Sequence, residues 1–452
     1  MRSNSVVKLL LLAILLCSAL SRASILEGSS VPKMLSLEEF IRSTVASHDG
    51  ESDWKFAVKV AFVGPNYAET KEVFSLVTGE HEKTSVNKIV GKGLFTYAVS
   101  PSSHTSDVLR TLASSDYVVL LASAVQQEYD SSINAVGGIN ELLISITGFE
   151  LKMSAFVLTK IDDPSVKDPQ QAYLNIKANL VKRFKAIPGA VRVPFVPVNL
   201  HGKDNILVPS KSMGWYTDGA LSDTIVKTAM ELKHDKREEM RFSVSRVHKE
   251  PKVGVIATGR LRGTSIKSSL QNLITCHPRL TTEVKFIKVN GMTRDSLNNG
   301  ETGELNLKNL QGTKSEIDEG SVLAFANSED CKPVSGFTAK IFLDQSTSST
   351  MRKYSVYTFH VDQQIFKGEI AELSSTFDTR TLKTLETNVK SFNAGPGTGL
   401  VAEINITGDK YPVLDHPKTY PTLGKGVITN DEERIIGYFT ITQTRNNIAS
   451  KP

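Results

Sequence analysis

The stretch "VAFVGPNYAETKEVFSLVTG", Val60 to Gly79, sets an apolar run before a glycine, a short polar turn and a segment of helical character. That is the outline of a phosphate-binding loop, G-x-x-x-x-G-K-[ST]. In such a loop, glycines let backbone N–H groups close on phosphate, lysine offsets its charge and the hydroxyl holds Mg²⁺. Gly64 fills the first glycine slot, but Glu69 stands in the second, Thr70 in the lysine slot and Lys71 in the hydroxyl slot. Glu69 puts a negative charge where polyphosphate would lie. Lys71 offers a cation by a slip of register but no Mg²⁺ ligand. No nucleophile–base pair, metal-ligand spacing or adjacent carboxylate pair elsewhere signals a different catalytic centre.

The elements that must position this loop show a clear period. "FAVKVAFVG", "LFTYAVS", "DYVVLLASA", "MSAFVLTKID" and "VRVPFVPVN" read as buried strands. "SDVLRTLAS", "INAVGGINELLISITGF" and "QQAYLNIKANLVKRFKAI" lie between them with apolar residues near helical spacing. Strands alternating with helices predict an α/β domain over residues 55–240, built on a parallel sheet with its ligand crevice at the strands' carboxyl ends. Beyond about Phe242 the helical pattern fades, and short strand-like runs separated by Gly, Asn, Asp or Pro take over. They predict two β domains, closed barrels or sandwiches, over 241–345 and 346–445, with "DQSTSSTMRK" as the joint and 446–452 as a tail.

The N-terminus has a different character. Arg2 and Lys8 precede the apolar "LLLLAILL", Leu9 to Leu16, and small residues follow in "CSALSRAS". This is the pattern of a secretory signal peptide over 1–23, with cleavage after Ala19 or Ala23; an uncleaved anchor is the alternative. The apolar run is short for a membrane span, which needs about 20 residues. The expected mature chain is therefore lumenal or extracellular and has no membrane span. A leader over 24–54 follows, in which Ser36 and Glu39 form a capping-box pattern. Removal of the signal segment takes Cys17 and leaves Cys276 and Cys331, which in an oxidising compartment form one disulfide or remain two buried thiols. Asn405-Ile406-Thr407 is an N-glycosylation sequon that matters only on that route, and it sits near a strand end before Gly408 and Asp409. The formal net charge of +5 over 452 residues, with 53 basic and 48 acidic side chains, gives no strong nucleic-acid signal.

The β region carries a family pattern. "VGVIATGRLRGTSIK", "TTEVKFIKVNG", "TGELNLKNL", "EIDEGSVLA" and "SGFTAKIFLD" resemble, in order, the second domain of translation elongation factor 1-alpha. "YPTLGKGVITNDEERIIGYFTI" resembles the last strands of its third domain, and "FVPVNLHGKDNILVPSKSMGWY" the end of its GTPase domain. The resemblance implies a degenerate GTPase-type α/β domain followed by two β-barrels. It also assigns vestigial roles. Lys160 and Asp162 in "TKID" match the lysine and aspartate that grip guanine, while Thr159 replaces the neighbouring asparagine. Asn199 and Leu200 replace a Ser-Gly pair. Val99 falls where an Mg²⁺-linked aspartate belongs, Pro101 near a proline and His104 near a water-positioning histidine. The resemblance brings strands near Cys276 and Cys331 close enough for a bridge without requiring one.

Gly64, Lys71, Lys160, Asp162 and Asn199 are thus remnants of a cofactor site, His104 a remnant of a catalytic one, and no metal site is expected. The leading expectation is a secretory pseudo-GTPase with no cofactor, acting by binding a protein partner or by self-assembly. The rival is a translation factor with residual GTP or GDP binding and aminoacyl-tRNA delivery.

Overall fold

The apolar run before Gly64 forms β1 (Phe56–Val63) and the segment after it α1 (Tyr67–Thr78), which ends at Gly79 in the left-handed conformation (φ 75°). A computed structural model describes residues 54–184, 193–230, 239–268, 271–308, 317–345, 350–408 and 410–446. The expected signal peptide, the leader apart from Trp54, and the tail apart from Asn446 lie outside these residues.

Beyond α1 come β2 (Ser85–Val90), β3 (Gly93–Val99), α2 (Thr105–Ala113), β4 (Tyr117–Ser123), α3 (Gln126–Ile133), α4 (Ile139–Gly148) and β5 (Lys152–Thr159). The domain closes with α5 (Pro169–Phe184), β6 (Phe195–Pro197) and α6 (Leu221–Ala229). The strands make one sheet in the order β2-β3-β1-β4-β5-β6. Val60, Phe62, Val118, Leu120 and Phe156 are fully buried in its middle, with Phe74, Leu112, Leu142, Leu180 and Ile225 of the helices packed on them. Runs that are apolar at every position are what strands covered on both faces require.

Two details differ from the sequence expectation. The sheet is not wholly parallel, because β2 pairs antiparallel with β3 through the tight turn at Gly91 (φ 58°) and Lys92. The expected helical stretch "INAVGGINELLISITGF" is helical only as α4: its first residue ends α3, and a turn through Gly137 and Gly138 separates the two. Gly137 takes φ 67°, and a Cβ on Gly138 would stand 2.2 Å from the Ser132 carbonyl oxygen, so the chain must turn there with no side chain.

The β region folds as two closed barrels. The first contains β7 (Arg241–Glu250), β8 (Gly254–Arg262), β9 (Ile266–Lys267), β10 (Asn272–Thr275), β11 (Thr281–Val289), β12 (Met292–Arg294), β13 (Ser296–Leu297), β14 (Thr302–Lys308) and β15 (Val322–Phe325). Its order β10-β15-β7-β8-β14-β11 closes through the β10–β11 pairing, which removes the sheet edges. The second contains β16 (Gly336–Leu343), β17 (Thr350–Arg352), β18 (Val356–Val361), β19 (Gln364–Asp378), β20 (Thr384–Thr387), β21 (Ser391–Asn393), β22 (Thr398–Thr407), β23 (Lys425–Thr429) and β24 (Ile435–Arg445). Its order β18-β23-β24-β16-β22-β19 closes through β18–β19.

The boundary between the barrels lies before β16 rather than near residue 345. "GFTAKIFL" pairs with β22 and β24, and its alternating Phe337, Ala339 and Ile341 are buried in the second barrel's core. Burying every second residue satisfies one barrel only, so this strand belongs wholly to the second.

Polar contacts join the three parts. Asp116, before β4, bonds the guanidinium of Arg260 and, at 3.0 Å, that of Arg262, both on β8 of the first barrel. Ser243 of the first barrel donates to Asp362 of the second, and Arg434 of the second holds buried Glu141 of α4 at 3.1 Å.

Candidate functional site

The chain leaves β1 for β3 on one side of it and later enters β4 on the other. That reversal opens a crevice at the strands' carboxyl ends, where open α/β sheets bind ligands. The β1–α1 turn, the end of β4 and the end of β5 all meet there.

Only Gly64, Pro65 and Asn66 separate β1 from α1. Asn66 is the helix N-cap, and its side-chain oxygen accepts the Glu69 N–H at 3.2 Å. The Asn66 carbonyl accepts both the Thr70 N–H at 3.0 Å and the Thr70 hydroxyl at 2.8 Å. A first turn capped this way engages the Glu69 N–H, one of the donors that a phosphate-binding helix start presents to its ligand. Gly64 serves packing instead: a Cβ there would stand 2.7 Å from Thr70 Oγ1 and 2.9 Å from Leu121 Cβ.

Beside this turn lies a cleft of about 250 Å³, bordered by Pro65, Asn66, Glu69, Leu121, Glu128 and Ser132 among others. Glu69 is 8% exposed, and its Oε1 has no hydrogen-bond partner. Burial pushes its carboxyl above the ordinary value, with Thr159 and Lys160 opposing. Lys160 reaches Glu69 only at 3.9 Å and instead grips Glu128 at 2.9 and 2.7 Å. That hydrogen bond holds Glu128 below the usual carboxylate range and raises the Lys160 ammonium. Two carboxylates thus share one ammonium. Lys71 is half-buried in α1 and does not line the cleft. A closed turn, an engaged hydroxyl and a surplus of negative charge do not fit a polyphosphate with Mg²⁺.

The remaining sequence-named residues are dispersed. His104 occupies the N-cap position of α2, exposed, with no capping bond from its side chain. Val99 is buried, and the Tyr67 hydroxyl donates toward the carbonyls of Ser100 and Pro101 at 3.2 and 3.0 Å. Asp162 is exposed, while Asn199 accepts the Gly202 N–H at 2.6 Å and bridges Asp204 through its backbone. Thr159 donates to the Ala122 carbonyl at 3.1 Å, tying the ends of β5 and β4 together. Among the described residues no cluster of three or more His, Cys, Asp or Glu side chains could hold a metal ion. Cys276 and Cys331 form a disulfide, 55 residues apart in sequence and 5.3 Å between Cα atoms, in a small core shared with Val413, Tyr420 and Leu423. Asn405 is exposed on β22, its side-chain oxygen accepting from Arg445 at 2.6 Å.

Sequence reasoning missed Glu128, Tyr67 and the cap. Asn66-x-x-Glu69 is a capping spacing that signals a helix starting at once after Gly64. Nothing in sequence marks Glu128, which meets Lys160 only through the fold.

No family model matches the chain. It is 24% identical over 352 residues to elongation factor 1-alpha of Stylonychia lemnae, covering 76% of each chain. It is equally 24% identical over 313 residues to that of Hyperthermus butylicus, covering 69% of each. The chain is a relative of elongation factor 1-alpha. Its fold is that of the three-domain translational GTPases. The GTPase-like domain of Saccharomyces cerevisiae Ski7, solved bound to GTP, superposes with a TM-score of 0.67 at 11% identity, over 90% of this chain and all of that one. Elongation factor SelB of Methanococcus maripaludis, in complex with the GTP analogue GPPNHP, gives 0.63 at 14% identity, over 88% of this chain and 81% of that one. The three-domain fold is shared with these structures, and the β1–α1 turn of this chain is the three residues Gly64, Pro65 and Asn66.

Proposed function

We propose that this elongation factor 1-alpha relative is a secretory pseudo-GTPase, a three-domain scaffold that acts through protein binding or assembly rather than GTP turnover. The closed three-residue turn, with Glu69 buried beside it, supports this most directly. Pro65 and Asn66 lead straight into a capped helix, so no loop remains to wrap a β-phosphate. Lys160, the guanine-stacking candidate, is committed to Glu128. Guanine contacts without phosphate or metal terms supply little affinity. A secretory location agrees with the apolar Leu9–Leu16 core and with an exposed sequon at Asn405.

The test is purification of the native protein from its own cells, with N-terminal sequencing and extraction of bound nucleotide. The expected product begins at Leu20 or Ser24, carries an amidase-sensitive glycan lost in Asn405→Gln, and releases no guanine nucleotide on denaturation. A cytosolic chain with intact Met1, unmodified Asn405 and stoichiometric GDP would overturn the proposal.

A further inference from the structure

The cleft beside the closed turn has recognition chemistry of its own. One carboxylate oxygen, Glu69 Oε1, lacks a hydrogen-bond partner although only 9% of that side chain is exposed. A buried carboxylate oxygen without a donor is costly, and a ligand that brings an N–H donor removes that cost. Leu121, Ala122 and Val136 form apolar wall, and Ser131 and Ser132 add hydroxyls. The space is about 250 Å³. It admits a short alkyl chain. Lys160 already displays the matching chemistry in the same molecule, an ammonium on an alkyl stem drawn toward Glu69 and Glu128.

We infer that this cleft binds an aliphatic ammonium ion, with Glu69 accepting its N–H groups and the alkyl chain lying against Leu121 and Ala122. The inference deepens the preceding proposal and rests on its premise that the site no longer takes polyphosphate. A site that held phosphate through cations would then hold a cation through carboxylates.

Calorimetry on the intact mature protein with 1,4-diaminobutane tests this, with potassium chloride at matched ionic strength as the blank. Saturable binding is expected, weakened about tenfold or more by Glu69→Gln and by Ala135→Leu, which fills the cleft from its exposed rim. Lys71→Ala, outside the cleft, should bind as the parent does. No saturable binding at millimolar amine, or binding that neither cleft variant weakens, overturns the inference. If Glu69→Gln does not fold, Ala135→Leu decides alone. A parallel GTP titration separates the two proposals. Silence toward both ligands defeats only the amine site, whereas GTP binding without amine binding defeats both.

Discussion

Glu69 pays for its position. Its carboxyl is held above the ordinary value by burial, so the proton is bound more tightly in the folded chain than in the unfolded one. For a raised carboxyl, the stability linked to the proton is fully present below the unfolded value and is lost as pH rises through the folded one. Glu69→Gln should therefore melt at a higher temperature than the parent at pH 7, and the gap should close below the ordinary carboxylate range. Thermal melts at the two pH values check this, and an equal gap at both would contradict it. Residue-level legibility is uneven. The losses at 69–71 and 99 are visible in sequence because the motif specifies residue types at fixed spacing. The Lys160–Glu128 pair is not, because 32 residues separate its members.

At the scale of elements, β18 carries a histidine whose burial has a measurable consequence. His360 is 5% exposed, its Nε2 lies 3.0 Å from Thr429 Oγ1, and its Nδ1 has no partner. Burial first, and Arg110 second, push it down to about 4. The unfolded chain therefore binds the proton more readily, and stability supplied by neutral His360 falls as pH drops from 6.5 toward 4. The loss is on the order of 3 kcal/mol at most. Denaturant titrations from pH 7 to 4 should show this slope, and His360→Gln should flatten it; identical slopes would contradict the assignment.

The strands and helices themselves are largely readable from period. Alternation identifies β16 as a strand but not its neighbours, so the sequence alone places it with the first barrel. β2 is hard to read from sequence, because its half-exposed edge position leaves only a weak apolar pattern in "SVNKIV". The split between α3 and α4 follows from two glycines that helical periodicity alone overlooks.

At the scale of the whole molecule, Asp116 holds two arginines of the first barrel against the α/β domain. Burial works against its charge, but Arg260 and Arg262 hold the carboxyl well below the usual carboxylate range. Burial and the neighbouring Arg260 lower the nearby Lys59 ammonium to about 7. Lys59 also donates to Ser114 Oγ at 2.6 Å, and its backbone N–H to Asp116 at 2.9 Å. Removing one partner of a buried ion pair costs about 3–5 kcal/mol, because the other charge is stranded. Asp116→Asn should lower unfolding free energy by about that amount and expose the domain junction to limited proteolysis. A loss under about 1 kcal/mol with unchanged proteolysis would show that the contact is incidental.

The proposed function requires that this elongation-factor-like fold no longer takes guanine nucleotide. Calorimetric titration of the mature protein with GTP and with GDP, with and without Mg²⁺, tests it most directly. No saturable heat at micromolar to millimolar nucleotide is the predicted result. A micromolar dissociation constant that requires Mg²⁺ would contradict it.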